Sequence, residues 1–417
     1  MIHSTLFYPS QLSQADRTQA IAALQKEWDQ DTSGFYALPE TQQPVIEAIE
    51  AIKARVLDEN EAICVIGIGG SSLGPKAAEA LLCHTKSRND KKLLFLENGD
   101  PIELTYQLGQ IDVHKTLFVI TSKSGGTIEV ASILKLILSK LGKQAVDKTL
   151  SDRLLIITDP GSPLEKLGKE NTIPVLNLPP SCGGRFSVLS AVGLVPFALV
   201  GYHAPSFLAG AKAVRDGFFE NDPLNLADQA HAFATGDRSI NTIFAYASGF
   251  SEWVKWFVQL WGESLGKITP EGKRVGLTPV GLIGSVDQHS FLQLLMEGPQ
   301  DKTVSFIQLG DFGSDLSIPE ITLPYLEKND FVNGRTFQSL INAQCDATLE
   351  AVRSQGVPCD LITLDRLDEW HMGALFMQYE LLTALAGHFL GVNTYDQPGV
   401  ELGKQILSQK FKAKDNA

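Results

Sequence analysis

The chain predicts an α/β protein of two doubly wound sandwich lobes, with additional N-terminal helices and a C-terminal helix. Three observations point there. At 417 residues the chain is longer than a single hydrophobic core usually organises. Short apolar runs of strand length alternate with amphipathic stretches, the pattern of parallel strands joined by crossover helices. Several of those runs end in Ser/Gly turns that open a helix, and an open α/β sheet holds its ligands at such carboxyl ends.

Taken in order, 15–28 and 44–56 read as helices with no strand between them, so they must pack elsewhere than across a sheet. Residues 1–45 are expected to form a helical arm on the second lobe. In the first lobe, 46–200, strands are expected at 62–68, 92–96, 116–121, 153–158 and 172–176, with helices at 75–82 and 127–141. The apolar stretch 183–202, with Pro196 inside it, reads as the bridge between lobes. In the second lobe, 201–390, strands are expected at 241–246, 280–283, 304–308 and 359–364, and helices at 250–260, 288–297, 336–355 and 369–388. Residues 391–417 form a C-terminal segment whose polar tail, 408–417, is expected to fray. Each lobe carries two strand-to-Ser/Gly turns, at 68–72 and 121–126 and at 247–249 and 284–285, as two distant copies of one unit would.

Composition narrows the function. Hydrophobic residues make up 44% and charged residues 20%, as in a soluble globular protein, and no apolar run is long enough to cross a bilayer. The N-terminus MIHSTLFYPSQLSQ lacks the basic start and apolar core of a signal peptide, so a cytoplasmic location and no membrane partner are expected. A formal charge of −13 argues against nonspecific nucleic-acid binding. Five scattered cysteines form no CxxC, and eight dispersed histidines form no HExxH, so neither disulfides nor a metal is expected, and no cofactor motif is evident.

The most informative stretch is FVITSKSGGTIEV, 118–130. An apolar strand runs into a turn that offers hydroxyls from Ser122, Ser124 and Thr127, the Lys123 ammonium, and backbone N–H groups at a helix N-terminus. That combination suits a phosphate, although such a loop also serves as a plain helix cap. A second turn, GIGGSSLG at 67–74, does not follow the GxGxxG order of dinucleotide sites or the lysine-terminated P-loop spacing. Gly69, Gly70 and Ser71 fit sugar oxygens better. Gln259 and Glu263 lie one helical turn apart and should point at one ligand.

These residues reach a family. FVITSKSGGTIEV, VIGIGGSSLGP (65–75), GGRFSVLSAVGL (183–194), WGESLGK (261–267), DQHSF (287–291) and DQPGVELGK (396–404) together resemble the phosphoglucose isomerase family, in its order and across most of the chain. The resemblance is to the short bacterial form. It implies a pair of sugar-isomerase α/β domains and the interconversion of glucose 6-phosphate and fructose 6-phosphate.

By that resemblance Glu263 is the proton-shuttling base, Arg185 the cation near the enediolate, His289 the ring-opening histidine and Lys404 the lysine working beside it. Outside their blocks these four would read as a solvated carboxylate, an interlobe ion pair, a helix cap and a surface lysine. The resemblance further assigns Ser122, Lys123, Ser124 and Thr127 to the phosphate, Gly70 and Ser71 to the sugar, and Gln259 and Gln397 to hydroxyls or phosphate. It implies a homodimer in which the partner supplies the histidine. Pro398 replaces the tryptophan of the animal form, and the glycines of SKSGGT replace bulkier residues, which bears on fine positioning. An isomerase that also accepts mannose 6-phosphate is one alternative. A noncatalytic sugar-phosphate-binding regulator is another, though it would have no need to keep Glu263, His289 and Lys404 together.

Overall fold

Two largely parallel sheets form the framework of the computed structural model, which describes residues 1–56, 58–85 and 88–414. After β1 (Ile2–Leu6), the first sheet gathers β2 (Ala62–Ile66), β3 (Lys92–Leu96), β4 (Thr116–Thr121), β5 (Leu154–Thr158) and β6 (Val175–Asn177). They lie in the order β3-β2-β4-β5-β6, all parallel. β2, β4 and β5 are buried at every position, which is why they read as unbroken apolar runs. The last strand starts later than the expected 172, because Thr172 sits in the left-handed region at φ 57° and turns the chain.

The second sheet is built from β7 (Ile240–Ala245) and, beyond a short antiparallel hairpin of β8 (Lys267–Ile268) and β9 (Arg274–Val275), from β10 (Thr278–Ile283), β11 (Lys302–Asp311) and β12 (Cys359–Arg366). Its order is β10-β7-β11-β12-β1. The four later strands are parallel, and β1 closes the edge antiparallel to β12, with Ile2 opposite Leu364 and Leu6 opposite Asp360.

The second lobe is organised around the helix Glu369–Leu390, buried without a break from His371 to Gly387. It lies against the helix Ala204–Asn221. Glycines set that crossing: a Cβ on Gly210 would stand 1.8 Å from the Trp370 carbonyl oxygen, and one on Gly373 1.7 Å from that of Phe207. The N-terminal helices appear as Gln14–Asp29 and Gln43–Val56. Ser13 caps the first of them by accepting the Asp16 N–H.

Three expectations are corrected. The helix expected at 250–260 runs on from Ser251 to Leu265, which places Glu263 inside it rather than beyond its end. The stretch 288–297 is not one helix but a 3₁₀ turn, Val286–His289, followed by a short helix, Leu292–Glu297. Asp287 holds that break, its carboxylate accepting from Ile283 N–H and from the Ser290 hydroxyl, both at 2.7 Å. The tail expected to fray from 408 belongs to a helix, Glu401–Lys414, rich in good helix formers; residues 415–417 lie outside the described residues.

Candidate active site

The turns that follow β2 and β4 lie side by side, because those two strands are hydrogen-bonded neighbours. After β4, Ser122 is buried and shares a hydrogen bond of 2.8 Å with the Thr127 hydroxyl across the loop. Thr127 is the N-cap of the helix Ile128–Lys140 but makes no side-chain capping bond, so the helix N-terminus keeps unsatisfied N–H groups. Gly125 has φ +67°, and a Cβ there would come within 3.0 Å of Leu164 N and Ser162 Cβ. The Ser124 hydroxyl accepts the Gly126 N–H at 3.3 Å. Lys123 departs from the expected picture. Its ammonium is bound to the carbonyls of Pro180 and Cys182, at 2.9 and 2.6 Å, and ties the loop to the chain that precedes Arg185.

After β2, Gly69–Ser71 forms a 3₁₀ turn. A Cβ on Gly70 would lie 2.2 Å from the Gly184 carbonyl carbon and 2.7 Å from Arg185 N, so this glycine is needed for backbone to pass against backbone. Ser71 lies beside it, half-buried. The ideal Cβ position of Gly69 is 3.0 Å from Gln259 Nε2, which brings the turn against the helix Ser251–Leu265.

On that helix Gln259 donates from Nε2 to Glu263 Oε1 at 3.2 Å, as the one-turn spacing predicts. The other Glu263 oxygen accepts from Arg185 Nη1 at 3.4 Å. Arg185 is 2% exposed. Its Nε donates to Ser264 Oγ at 2.7 Å, Nη1 to Gln397 Oε1 at 2.8 Å, and Nη2 to the carbonyls of Thr394 and Asp396 at 2.6 and 3.0 Å. Burial pulls this guanidinium below its ordinary pKa, while Glu263 and Asp396 act to restore it. A guanidinium so bound stays charged and holds a fixed positive charge beside whatever negative charge develops nearby. The buried Gln259 Oε1 has no hydrogen-bond partner among the described residues, leaving an acceptor open.

A cavity of about 520 Å³ opens here, lined by Glu263, Lys267, Arg274, Asn393, Asp396 and Gln397 among others. The remaining expected residues stand elsewhere. His289 is exposed at the end of its 3₁₀ turn beyond β10, and among the described residues no hydrogen bond or ion pair joins it to Glu263 or Arg185. Lys404 is exposed on the helix Glu401–Lys414, beyond the 3₁₀ turn Pro398–Val400. Two contributors escaped the sequence reading. Lys267 closes the WGESLGK block, where a lone lysine reads as a surface residue, and Tyr395, one residue before DQPGVELGK, carries no motif at all.

Fold and site together define a two-lobed α/β enzyme working at the carboxyl ends of parallel strands. The phosphoglucose isomerase family profile matches residues 40–416, and the chain belongs to that family. It is 41% identical over 379 residues to the glucose-6-phosphate isomerase of Campylobacter jejuni, covering 90% of this chain and 91% of that one. It is 37% identical to the enzyme of the same name from Rubrobacter xylanophilus, over 90% and 88% of the two chains. Among solved structures, a hypothetical protein from Thermus thermophilus superposes with a TM-score of 0.87 at 31% identity, covering 95% of this chain and 94% of that one. The glucose-6-phosphate isomerase of Chlamydia trachomatis gives 0.75 at 24% identity over 98% and 77%, a likeness of fold.

Proposed function

We propose that this chain interconverts glucose 6-phosphate and fructose 6-phosphate through a ring-opened sugar and a cis-enediolate. The observation that carries this reading is the Glu263 carboxylate held between the Gln259 amide and the buried Arg185 guanidinium. Glu263 takes the C2 proton of the open aldose as the C2 electron pair becomes the enediolate double bond. Arg185 offsets the charge that gathers on the two oxygens. Glu263 then returns the proton to C1 while the C2 hydroxyl proton passes to the C1 oxygen, so that the oxygen on C2 becomes the ketone and that on C1 a hydroxyl. The hydroxyls of Ser122, Ser124 and Thr127 grip the phosphate, with the N-terminus of the helix Ile128–Lys140 behind them. Lys123 braces that loop, Gly70 and Ser71 border the sugar, and Gln397 accepts from the same Arg185 Nη1 that reaches Glu263.

Ring opening needs a proton moved from the C1 hydroxyl to the ring oxygen. His289 and Lys404 are assigned to it by family resemblance, with His289 supplied by the second subunit of a homodimer. The exposed position of His289, without a bond to Glu263 of its own chain, supports that arrangement. A cytoplasmic location belongs to the same reading, as does a division of the chain into 1–45, 46–200, 201–390 and 391–417; the two separate sheets support the two lobes, while β1 joins the second sheet and the helix Gln43–Val56 crosses the first boundary.

The test supplies fructose 6-phosphate and detects glucose 6-phosphate, alongside the loss of C2 label from glucose 6-phosphate to water. Glu263→Gln should lower turnover by at least about 10²–10⁴ and abolish washout together with isomerisation, while a sugar-acid phosphate still binds. A mutant that exchanges the C2 proton at the wild-type rate would remove Glu263 from this role. A wild-type protein that binds the sugar phosphate without turning it over would instead be the noncatalytic regulator.

A further inference from the structure

The segment Thr394-Tyr395-Asp396-Gln397 is the part of the site with the least secondary structure, and it is held from three directions. Arg185 takes the carbonyls of Thr394 and Asp396 and the Gln397 amide oxygen. The Tyr395 ring packs edge-on against Phe186 at 5.5 Å, and its hydroxyl donates to Glu27. The third hold is Lys267. Its side chain is 7% exposed, and its ammonium donates to Asp396 Oδ1 at 2.7 Å and also to the Asp396 carbonyl. That one carbonyl is therefore caught between two cations arriving from different elements. Lys267 opens the hairpin directly after the helix that bears Glu263.

Burying an ammonium in this way is costly unless its partners are fixed. Here Lys267 lines the same cavity as Glu263, and its partner Asp396 is the neighbour of Gln397 and stands eight residues before Lys404.

We propose that Lys267 is a positioning residue for the isomerisation: by clamping Asp396 it couples the helix carrying Glu263 to the segment that delivers Gln397 to Arg185 and leads into the helix carrying Lys404. It touches protein rather than the reacting atoms. The inference rests on the isomerase reading, so wild-type turnover is established first in the fructose 6-phosphate assay.

The experiment compares Lys267→Met, Lys267→Arg, Asp396→Asn and the double variant Lys267→Met/Asp396→Asn in that assay, with thermal melting to confirm that each is folded at the assay temperature. Lys267→Met should lower kcat about tenfold or more, and Lys267→Arg, which keeps a donor for both Asp396 oxygens, should return it to within about threefold of wild type. Asp396→Asn should lose activity as Lys267→Met does, and the double variant should be no worse than the poorer single one, because both remove the same clamp. Folded Lys267→Met within twofold of wild type would overturn the proposal. So would single losses that multiply in the double variant, or a Lys267→Arg protein as impaired as Lys267→Met. Should Lys267→Met not fold, Lys267→Arg and Asp396→Asn decide: comparable losses in both overturn the clamp, whereas a loss confined to Asp396→Asn supports it.

Discussion

Arg185 shows how much one side chain can carry. It spends every face of its guanidinium on the site, bonding Ser264, Gln397, the 394 and 396 carbonyls and Glu263. A lysine reaches the same place with one compact charge and no planar fork. Arg185→Lys should therefore lower kcat/KM by about 10²–10³ while the protein stays folded by circular dichroism, since in the proposed function its charge is preorganised beside the reacting carbons and hard to replace. A loss under tenfold would show that charge alone suffices. Gly70 makes a neighbouring test: an added Cβ has no room beside Gly184 and must push the backbone that carries Arg185. Gly70→Ala should cost about 1–3 kcal/mol in urea denaturation and lower turnover as well. At this scale Glu263 and Arg185 were legible because their neighbours along the chain are distinctive. Lys267 was not, because an isolated lysine reads as a surface residue and its burial depends on Asp396, 129 positions away.

Elements were legible in proportion to their burial. β2, β4 and β5, covered on both faces, announce themselves as apolar runs. β1 and the β8–β9 hairpin do not, being short, at an edge or half-exposed, so their apolar residues form no run. The loop after β4 shows its character in its residue types, yet the turning of Lys123 onto the 180 and 182 carbonyls depends on chain that returns from elsewhere. For that loop, Ser122→Ala with Thr127→Ala should raise KM far more than it lowers kcat, because in the proposed function those hydroxyls hold the phosphate, which does not react. Each lost bond is worth about 0.5–1.5 kcal/mol, and an unchanged affinity for a phosphate-bearing inhibitor would take the loop out of the site. β12 carries a different liability in Asp360, fully buried and pushed up to about 7, with hydrogen bonds from Ser305 and Gln229 opposing the shift. Its folded pKa lies above its unfolded one, so its stabilising contribution is whole at acid pH and declines as pH climbs toward 7. Asp360→Asn should thus gain in Tm over wild type progressively between about pH 4 and 7 and keep a constant advantage above that. The unpartnered Gln229 Oε1 can accept the new amide. A Tm difference independent of pH would show that Asp360 does not titrate there.

The whole molecule gathers the candidate site from both lobes: turns after β2 and β4, the 184–186 turn, the Glu263 helix and the 394–397 segment. His289 stands outside that gathering. Mixing Glu263→Ala with His289→Ala chains should restore up to about a quarter of wild-type activity after subunit exchange, since half of randomly paired dimers hold one site with both groups. Mixtures that stay inactive, or a fully active monomer by light scattering, would refute the shared site. The doubly wound plan was legible because alternating strands and helices recur along the chain. How the ends return was not, since neither β1 nor the 394–397 segment has a partner nearby in sequence. β1 has one more consequence, concerning the order in which the protein is made. The strand Ile2–Leu6 pairs with residues 360–364, so it is synthesised long before the strand it needs. Until the two pair, the outer edge of β12 offers its row of donors and acceptors to any passing strand, including the β1 of a neighbouring nascent chain. Crowded synthesis should therefore favour exchange of these five residues between chains.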